Sequence, residues 1–244
     1  MAGIIELRNV SFSAQNRKIA KGVSYEFEAA KTTVLVGPSG GGKSTVLKLA
    51  AGLLEPDTGE ILFKGKNIAH MSRSENLEFR RFGAVVFQDS ALWANQTLFQ
   101  ILELPLRIHF PKMTKDEREY RIVSVVSEVG YKKDLGIRPS RLSMGEQKLI
   151  AFARALLCRP GLLYLDEWTE SLDESAARRL IDLVRIRQQQ GVTVIFISHN
   201  MRIVLDLADI VVMVLGGQIF LKITKEEIAG DEDIKRYVEK GMAS

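Results

Sequence analysis

An α/β fold built on a largely parallel sheet is predicted by three features of the chain. Short apolar runs, Val34–Val36, Gly161–Asp166 and Val192–Ser198, read as buried strands and alternate with helical segments such as Glu174–Gln189. A glycine-rich loop after Val36 leads straight into Ser44–Ala51, a helix-compatible stretch. Between about Leu98 and Arg159 nothing has strand character, so a helical insertion separates two sequence halves of one α/β lobe.

Each element has a local justification. Val34–Val36 before Gly37 is a short buried-strand pattern. Thr114–Val129 opens with Thr114 and Glu117 at capping-box spacing and continues with apolar residues at helical intervals. Ser143–Leu157 is a second strong helix, begun by a polar Ser-x-x-Glu. Ile210–Leu215, the pair Gly216–Gly217 and Gln218–Leu221 predict a hairpin near the end. The expected organisation is one unit: residues 1–90 and 160–222 as the α/β lobe, 91–159 as a helical subdomain, and 223–244 as a helical tail. The charged stretch Lys112–Arg121 reads as a solvated helix face, and there are no internal repeats or low-complexity tracts.

At 244 residues, with 46% apolar and 26% charged residues, the chain can bury an ample core. A formal net charge of +4 is only mildly basic, and no nucleic-acid partner is expected from it. The one cysteine, Cys158, cannot form an internal disulfide and lies in the apolar stretch Ala153–Cys158, so a buried, inert thiol is expected. No secretory signal is read at the start, and no apolar run approaches the roughly 20 residues that span a bilayer. If the protein works at a membrane, another chain supplies the channel. His70 and His109 have no acid or cysteine at ligand spacing and are expected on the surface.

The chemistry is concentrated in two places. Gly37-Pro38-Ser39-Gly40-Gly41-Gly42-Lys43-Ser44-Thr45 fills every position of the phosphate-binding loop pattern, between a strand and a helix as the mechanism requires. Its glycines let backbone N–H groups curl around phosphate oxygens, and the helix N-terminus adds positive potential. Lys43 can reach the β- and γ-phosphates of a nucleotide, and the Ser44 hydroxyl can ligate Mg²⁺. Leu162–Asp166 followed by Glu167 is an apolar strand ending in two acids: Asp166 suits Mg²⁺ coordination through water, and Glu167 can polarise a water that attacks the γ-phosphate.

A third segment, Leu142-Ser143-Met144-Gly145-Glu146-Gln147, resembles the signature of the ATP-hydrolysing subunits of the ABC superfamily, usually Leu-Ser-Gly-Gly-Gln. The run through Arg154-Ala155-Leu156 to Asp166-Glu167 keeps the order and spacing of that superfamily. The resemblance implies a P-loop core with an inserted helical subdomain, ATP and Mg²⁺ as ligands, and a dimer in which Ser143, Gly145 and Glu146 of one chain close over nucleotide held by the other. It further implies that Gln88 contacts Mg²⁺ or water and reports nucleotide state, that Ser171-Leu172-Asp173 crosses the dimer interface, and that His199 touches the γ-phosphate. Phe12 is the candidate for stacking on adenine, with Tyr25 as an alternative. Trp93, just after Gln88, is either core or a contact for a membrane partner.

Three positions depart from the superfamily pattern, and a fourth, Glu146, stays within what that pattern allows. Met144 stands where glycine is usual and Glu146 where glutamine or glutamate occurs; Trp168 replaces a proline, and Asn200 replaces an aspartate after His199. The set Lys43, Ser44, Gln88, Asp166, Glu167 and His199 is complete, so an active ATPase is expected, with Met144 able to slow closure.

A narrower resemblance, to the ATPase of Mla-type (MCE-associated) phospholipid transport systems, lies in Gly59–Ile68, Met71–Ser74, Leu104–Arg107 and the tail Ile234–Gly241. It implies integral membrane permease subunits, an MCE lipid-binding protein and a small STAS-like subunit as partners. Location on the cytoplasmic face of the cell membrane follows from the same resemblance. The alternatives are another transported cargo (an amino acid, a lipoprotein or a metal chelate) and a soluble, non-transport ATPase. Repair types of the latter carry long coiled-coil insertions and translation types two ATPase halves, neither of which is present.

Overall fold

The computed structural model describes residues 3–233 together with Arg236, Val238 and Gly241. In chain order the elements are β1 (Gly3–Ala14), β2 (Arg17–Glu28), β3 (Thr32–Val36), α1 (Lys43–Ala50), β4 (Thr58–Phe63), β5 (Lys66–Asn67), α2 (Arg73–Phe82) and β6 (Gly83–Val86). The insertion follows as α3 (Leu98–His109), α4 (Lys115–Val129) and α5 (Met144–Leu156). The chain then returns through β7 (Leu162–Asp166), α6 (Glu174–Gln189), β8 (Thr193–Ile197), α7 (Met201–Leu207), β9 (Ile210–Leu215), β10 (Gln218–Thr224) and α8 (Lys225–Gly230).

The strands form two sheets. The main one has the order β10-β9-β3-β8-β7-β6; all its neighbours run parallel except the β9–β10 hairpin. Side chains alternate across it with period two, and each face has its own core. Val34, Leu163, Leu165, Val194 and Phe196 pack toward the helical insertion, against α4, α5 and α6. Leu35, Leu162, Tyr164, Ile195 and Ile197 pack on the other face, against α1 and the second sheet. Burial on both faces is why these strands read as continuous apolar runs.

The second sheet, β2-β1-β4-β5, is antiparallel and is an addition to the parallel architecture expected from the sequence. Its two long strands are interrupted by several register shifts along the β1–β2 ladder, so apolar residues do not alternate cleanly and the pattern is masked. Two helices also go beyond the sequence reading. Helix α2 is started by a capping box between Ser72 and Glu75, and α3 by one between Thr97 and Gln100, with Pro105 inside it. The expected boxes at Thr114/Glu117 and Ser143/Glu146 are both formed. Residues 91–159 contain α3, α4 and α5 and no strand among the described residues.

The last strand runs two residues past the expected end of the lobe at 222. Ile223 and Thr224 complete the ladder opposite Val211 and Ile210, and Ile223 is buried, so helix α8 begins only at Lys225. The tail segment Ile234–Gly241 lies, apart from Arg236, Val238 and Gly241, outside the described residues.

Because β3, β6, β7 and β8 are parallel neighbours, their carboxyl ends open onto one edge of the sheet. Four loops leave that edge: one carries the glycine-rich segment, and the others carry Gln88, the Asp166–Glu167 pair and His199. Residues 37 to 199 are thereby brought to one place by topology, as open α/β sheets generally do for ligands.

Candidate active site

The glycine-rich loop is shaped by backbone that side chains could not occupy. Gly37 has φ 140°, and a Cβ there would lie 2.2 Å from the Val214 carbonyl oxygen. The Gly41 N–H donates to Pro38 O at 3.0 Å, and Gly42 caps α1 in the left-handed region at φ 101°. Lys43 is buried, and its ammonium donates to Gly37 O at 2.8 Å and Pro38 O at 2.9 Å, which holds the cation inside the curve of the loop. Burial lowers its pKa, opposed by the nearby Glu167 and Asp166 carboxylates.

Ser44, one residue into α1, donates its hydroxyl to Asp166 Oδ1 at 3.2 Å. Asp166 ends β7 and is buried; burial raises its pKa, against the Ser44 hydrogen bond and the charges of Lys48, Lys148 and Lys43. Two hard oxygens thus face each other at the helix start. Among the described residues no three His, Cys, Asp or Glu side chains are grouped to hold a metal by themselves. Such a pair suits a cation that completes its shell with water and phosphate oxygens, as Mg²⁺ does.

Glu167 has φ 47°, a left-handed backbone that is uncommon for a residue with a side chain. Its N–H donates to Ile197 O at 3.2 Å, which turns the carboxylate across the sheet edge. The carboxylate accepts from Gln88 Nε2 at 2.9 Å and lies 3.1 Å from His199 Nε2. Burial, then the neighbouring Glu170, raise the Glu167 pKa, while His199 opposes them. Lys43, Ser44, Gln88, Asp166, Glu167 and His199 are therefore one connected constellation. Ser39, Gly40, Gly41, Gly42 and Thr45 line a cavity of about 680 Å³ together with Gln88, Glu167 and His199, a size ordinary for small-molecule sites.

Ser143, Gly145 and Glu146 are not brought to that cavity. Ser143 caps α5 by accepting from the Glu146 N–H at 3.2 Å, and the Glu146 carboxylate accepts from the Ser143 N–H at 3.0 Å while pairing with Lys133 at 2.5 Å. Gly145 sits so close to the Ser171 carbonyl that a Cβ would be 3.0 Å from it, which couples this helix start to the loop after Glu167. Met144 is exposed and borders a neighbouring hollow of about 620 Å³ shared with Ser44, Gln88, Asp166 and Ser171.

Two expectations are corrected. Phe12 packs with Tyr25 against the core between the sheets, and Tyr25 stacks edge-on against Phe27; neither ring is offered to the cavity. Ala14, Gln15, Arg17 and Ile19, at the β1–β2 turn, line the mouth instead. His109 is half-buried rather than on the surface; burial and then Arg81 lower its pKa. His70 is exposed, as expected. Cys158 is half-buried, and burial pushes its thiol up to about 11.

Three residues at the site were not singled out from sequence for it. Glu170 accepts from Gln88 Nε2 at 3.3 Å and lines the cavity; an acid three positions after Glu167 was its only signal. Lys148 and Arg154, on α5, hold the main chain around Gln88. Lys148 follows Glu146 and Gln147 at the start of the apolar run Leu149–Phe152, so nothing local set it apart from an ordinary polar helix start. Trp168 is fully buried and packs edge-on against Phe196 at 5.3 Å, so the position after Glu167 is anchored in the core by an aromatic.

Comparison with known proteins agrees with this geometry. The ABC transporter family profile matches residues 20–170. The chain is 34% identical over 210 residues to the intermembrane phospholipid transport system ATP-binding protein MlaF of Escherichia coli K12, covering 86% of this chain and 78% of that protein. It is 33% identical over 231 residues to the spermidine/putrescine import ATP-binding protein PotA of Mycoplasma mycoides, covering 94% of this chain and 64% of that one. An ATP-binding cassette solved as a dimer in a post-hydrolysis state with ADP and Pi superposes with a TM-score of 0.83 at 24% identity, covering 91% of this chain and 98% of the other. With a phosphate-binding loop facing an acid pair across parallel strand ends, and a family match over most of its length, the chain belongs to the ABC transporter family and is an ATP-hydrolysing subunit of it.

Proposed function

We propose that this ATPase is the motor of a phospholipid transporter and that it works as a dimer against membrane-embedded permease subunits. The observation that carries the mechanistic part is the single constellation at the carboxyl ends of β3, β6, β7 and β8. In it, Lys43 and the loop N–H groups bind the nucleotide phosphates. Ser44, Asp166 and Gln88 would hold Mg²⁺, whose charge would offset that developing on the phosphates. Glu167, aimed by Gln88 and His199, orients the attacking water and accepts its proton. His199, at the end of β8 and lining the same cavity, would contact the γ-phosphate.

Ser143 and Gly145 are presented on an exposed helix start away from this chain's own loop, the arrangement that a second copy needs if it is to close each site. No helix is long and apolar enough to cross a membrane among the described residues. A groove of about 430 Å³ beside the Gln88 loop is where a permease docks. It is lined by Phe87, Leu104, Arg81 and two exposed apolar side chains, Trp93 and Ile108, at 47% and 49% exposure.

Phospholipid is favoured as cargo by the MlaF relative; with that reading go an MCE lipid-binding protein and a STAS-like subunit as partners, and a peripheral place for this chain on the cytoplasmic side of the membrane. A second reading, a polycation importer, is favoured by the PotA relative. The deciding experiment is purification of the tagged chain from gently solubilised membranes, identification of its companions, and assay of the complex in vesicles. Co-purification of an MCE-type lipid-binding protein, with ATPase activity responding to phospholipid, supports phospholipid. A polyamine-binding companion with a response to spermidine overturns it.

A further inference from the structure

Helix α5 buries a charge for which nucleotide binding has no use. Lys148 is 3% exposed and makes no ion pair among the described residues. Its ammonium donates to three carbonyls instead: Gln88 O at 2.5 Å, Phe87 O at 3.4 Å and Glu167 O at 3.5 Å. Two of these belong to the residues that flank the attacking water in the reading above, and they leave from different strands, β6 and β7. A second cation from the same helix continues the row: Arg154 donates to Ser90 O at 3.1 Å and Ala91 O at 2.6 Å.

The held backbone is strained. Glu167, Ser90 and Ala91 have φ of 47°, 63° and 45°, conformations that persist only where surrounding contacts fix them. An apolar side chain would fill the Lys148 position without desolvating an ammonium, so packing alone does not explain a lysine there. Three N–H donors on one atom match three convergent carbonyls. Burial disfavours the charged ammonium and lowers its pKa, and the carboxylates of Glu170, Asp166, Asp89 and Glu167 oppose that effect.

We propose that Lys148 is a positioning residue of the hydrolytic step, a strut from the signature helix that clamps the main chain of Gln88 to that of Glu167, with Arg154 extending the hold to residues 90–91. The proposal rests on the assignment of Gln88 and Glu167 to hydrolysis. Through this strut the helix start that presents Ser143 and Gly145, the Gln88 loop and the Glu167 turn move as one body. Engagement of the signature segment is thereby transmitted to the aim of the water-orienting groups. ATP binding depends on Lys43 and the glycine loop, which Lys148 does not touch.

The test is steady-state ATPase of the whole chain, with ATP titrations and thermal midpoints, for Lys148→Met, Lys148→Gln, Gln88→Ala and the Lys148→Met/Gln88→Ala double variant. Lys148→Met is expected to lower kcat about 10-fold or more with KM for ATP changed less than about threefold, and Lys148→Gln, which keeps an N–H donor, to recover part of the loss. In the Gln88→Ala background the further loss from Lys148→Met should shrink to less than about threefold, because residues acting through one another are not additive. If Lys148→Met does not fold, the same comparisons with Lys148→Gln decide. Unchanged kcat, a parallel loss of ATP affinity, or fully multiplicative losses with an impaired Gln88→Ala overturns the proposal. Wild-type turnover in Gln88→Ala overturns the site assignment beneath it, and the proposal with it.

Discussion

Replacing Glu167 by Gln isolates the chemistry from the architecture. The carboxylate sits between two donors, Gln88 Nε2 at 2.9 Å and His199 Nε2 at 3.1 Å. A glutamine keeps the length and one acceptor oxygen but turns an N–H₂ toward one of the two donors. A flip of the Gln88 carboxamide, or the other His199 tautomer, restores that contact at little cost. What is lost is the base. A positioned general base is worth about 10²- to 10⁴-fold, or about 2.7–5.4 kcal/mol at roughly 1.36 kcal/mol per decade. Turnover should therefore fall by at least that lower factor. ATP affinity should stay near normal, because Lys43, Ser44 and Asp166 are untouched and a negative charge has been removed from the site. The state that hydrolysis would have emptied should then accumulate: a dimer with ATP and Mg²⁺ that does not form with ADP. Phosphate release measured beside light scattering with each nucleotide reads both quantities, on the isolated chain and on the assembled complex. Wild-type turnover would remove Glu167 from the base role, and Glu170, 3.3 Å from the same Gln88 nitrogen, would become the carboxylate to test next.

Lys43→Ala removes the one ammonium held inside the glycine loop, so ATP affinity should fall about 10- to 100-fold, the range for a lost hydrogen bond to a charged group, with turnover abolished; near-normal turnover refutes the loop assignment. Trp93→Glu, at a half-exposed groove position, should leave thermal stability within about 1 kcal/mol and nucleotide affinity unchanged while abolishing co-purification with membrane partners. Unfolding of that variant would show the indole to be a core group instead. The Cys158 thiol, raised to about 11, favours its neutral form, so at pH 8 only about one molecule in a thousand carries the reactive thiolate. Alkylation of the native protein at pH 8 should be slow and should accelerate on unfolding, whereas rapid native labelling would show a thiolate that burial does not suppress.

What was legible in the sequence was what local rules write. Helices α4 and α5 declare themselves through Thr114/Glu117 and Ser143/Glu146, since a capping box is complete within four residues. Strands β3, β7 and β8 are legible because burial on both faces makes them apolar runs. The phosphate-binding loop and the acid pair are legible because their chemistry depends on residue type at fixed spacing. The antiparallel sheet was hidden by the register shifts that break alternation in β1 and β2, and α3 by Pro105, which argues locally against the helix that tertiary packing nonetheless forms. Phe12 failed as an adenine platform because an aromatic on an early strand carries no mark of which side of the sheet it faces. Lys148 and Glu170 act through contacts 60 and 82 positions away in the chain, to Gln88, and no local pattern encodes such separations.

The strained backbone of Glu167 shows how fold and activity are joined. Its φ of 47° is held from three sides: by the Ile197 carbonyl on β8, by the Lys148 ammonium on α5, and by the buried Trp168 packed on Phe196. Each hold comes from a different element, so the conformation is over-determined, which is the condition under which such strain survives. The next loop residue with similar strain is Ser171, at φ 64°, and its carbonyl lies against Gly145 of the signature segment. A Cβ on Gly145 would push at that carbonyl, and the push would reach Glu167 through four residues of tightly turned chain. A side chain at Gly145 would thus make the Ser171 carbonyl give by a few tenths of an ångström, independently of any backbone N–H that this residue offers to a nucleotide. Met144, one position earlier, is exposed, so its side chain meets no such constraint within this chain.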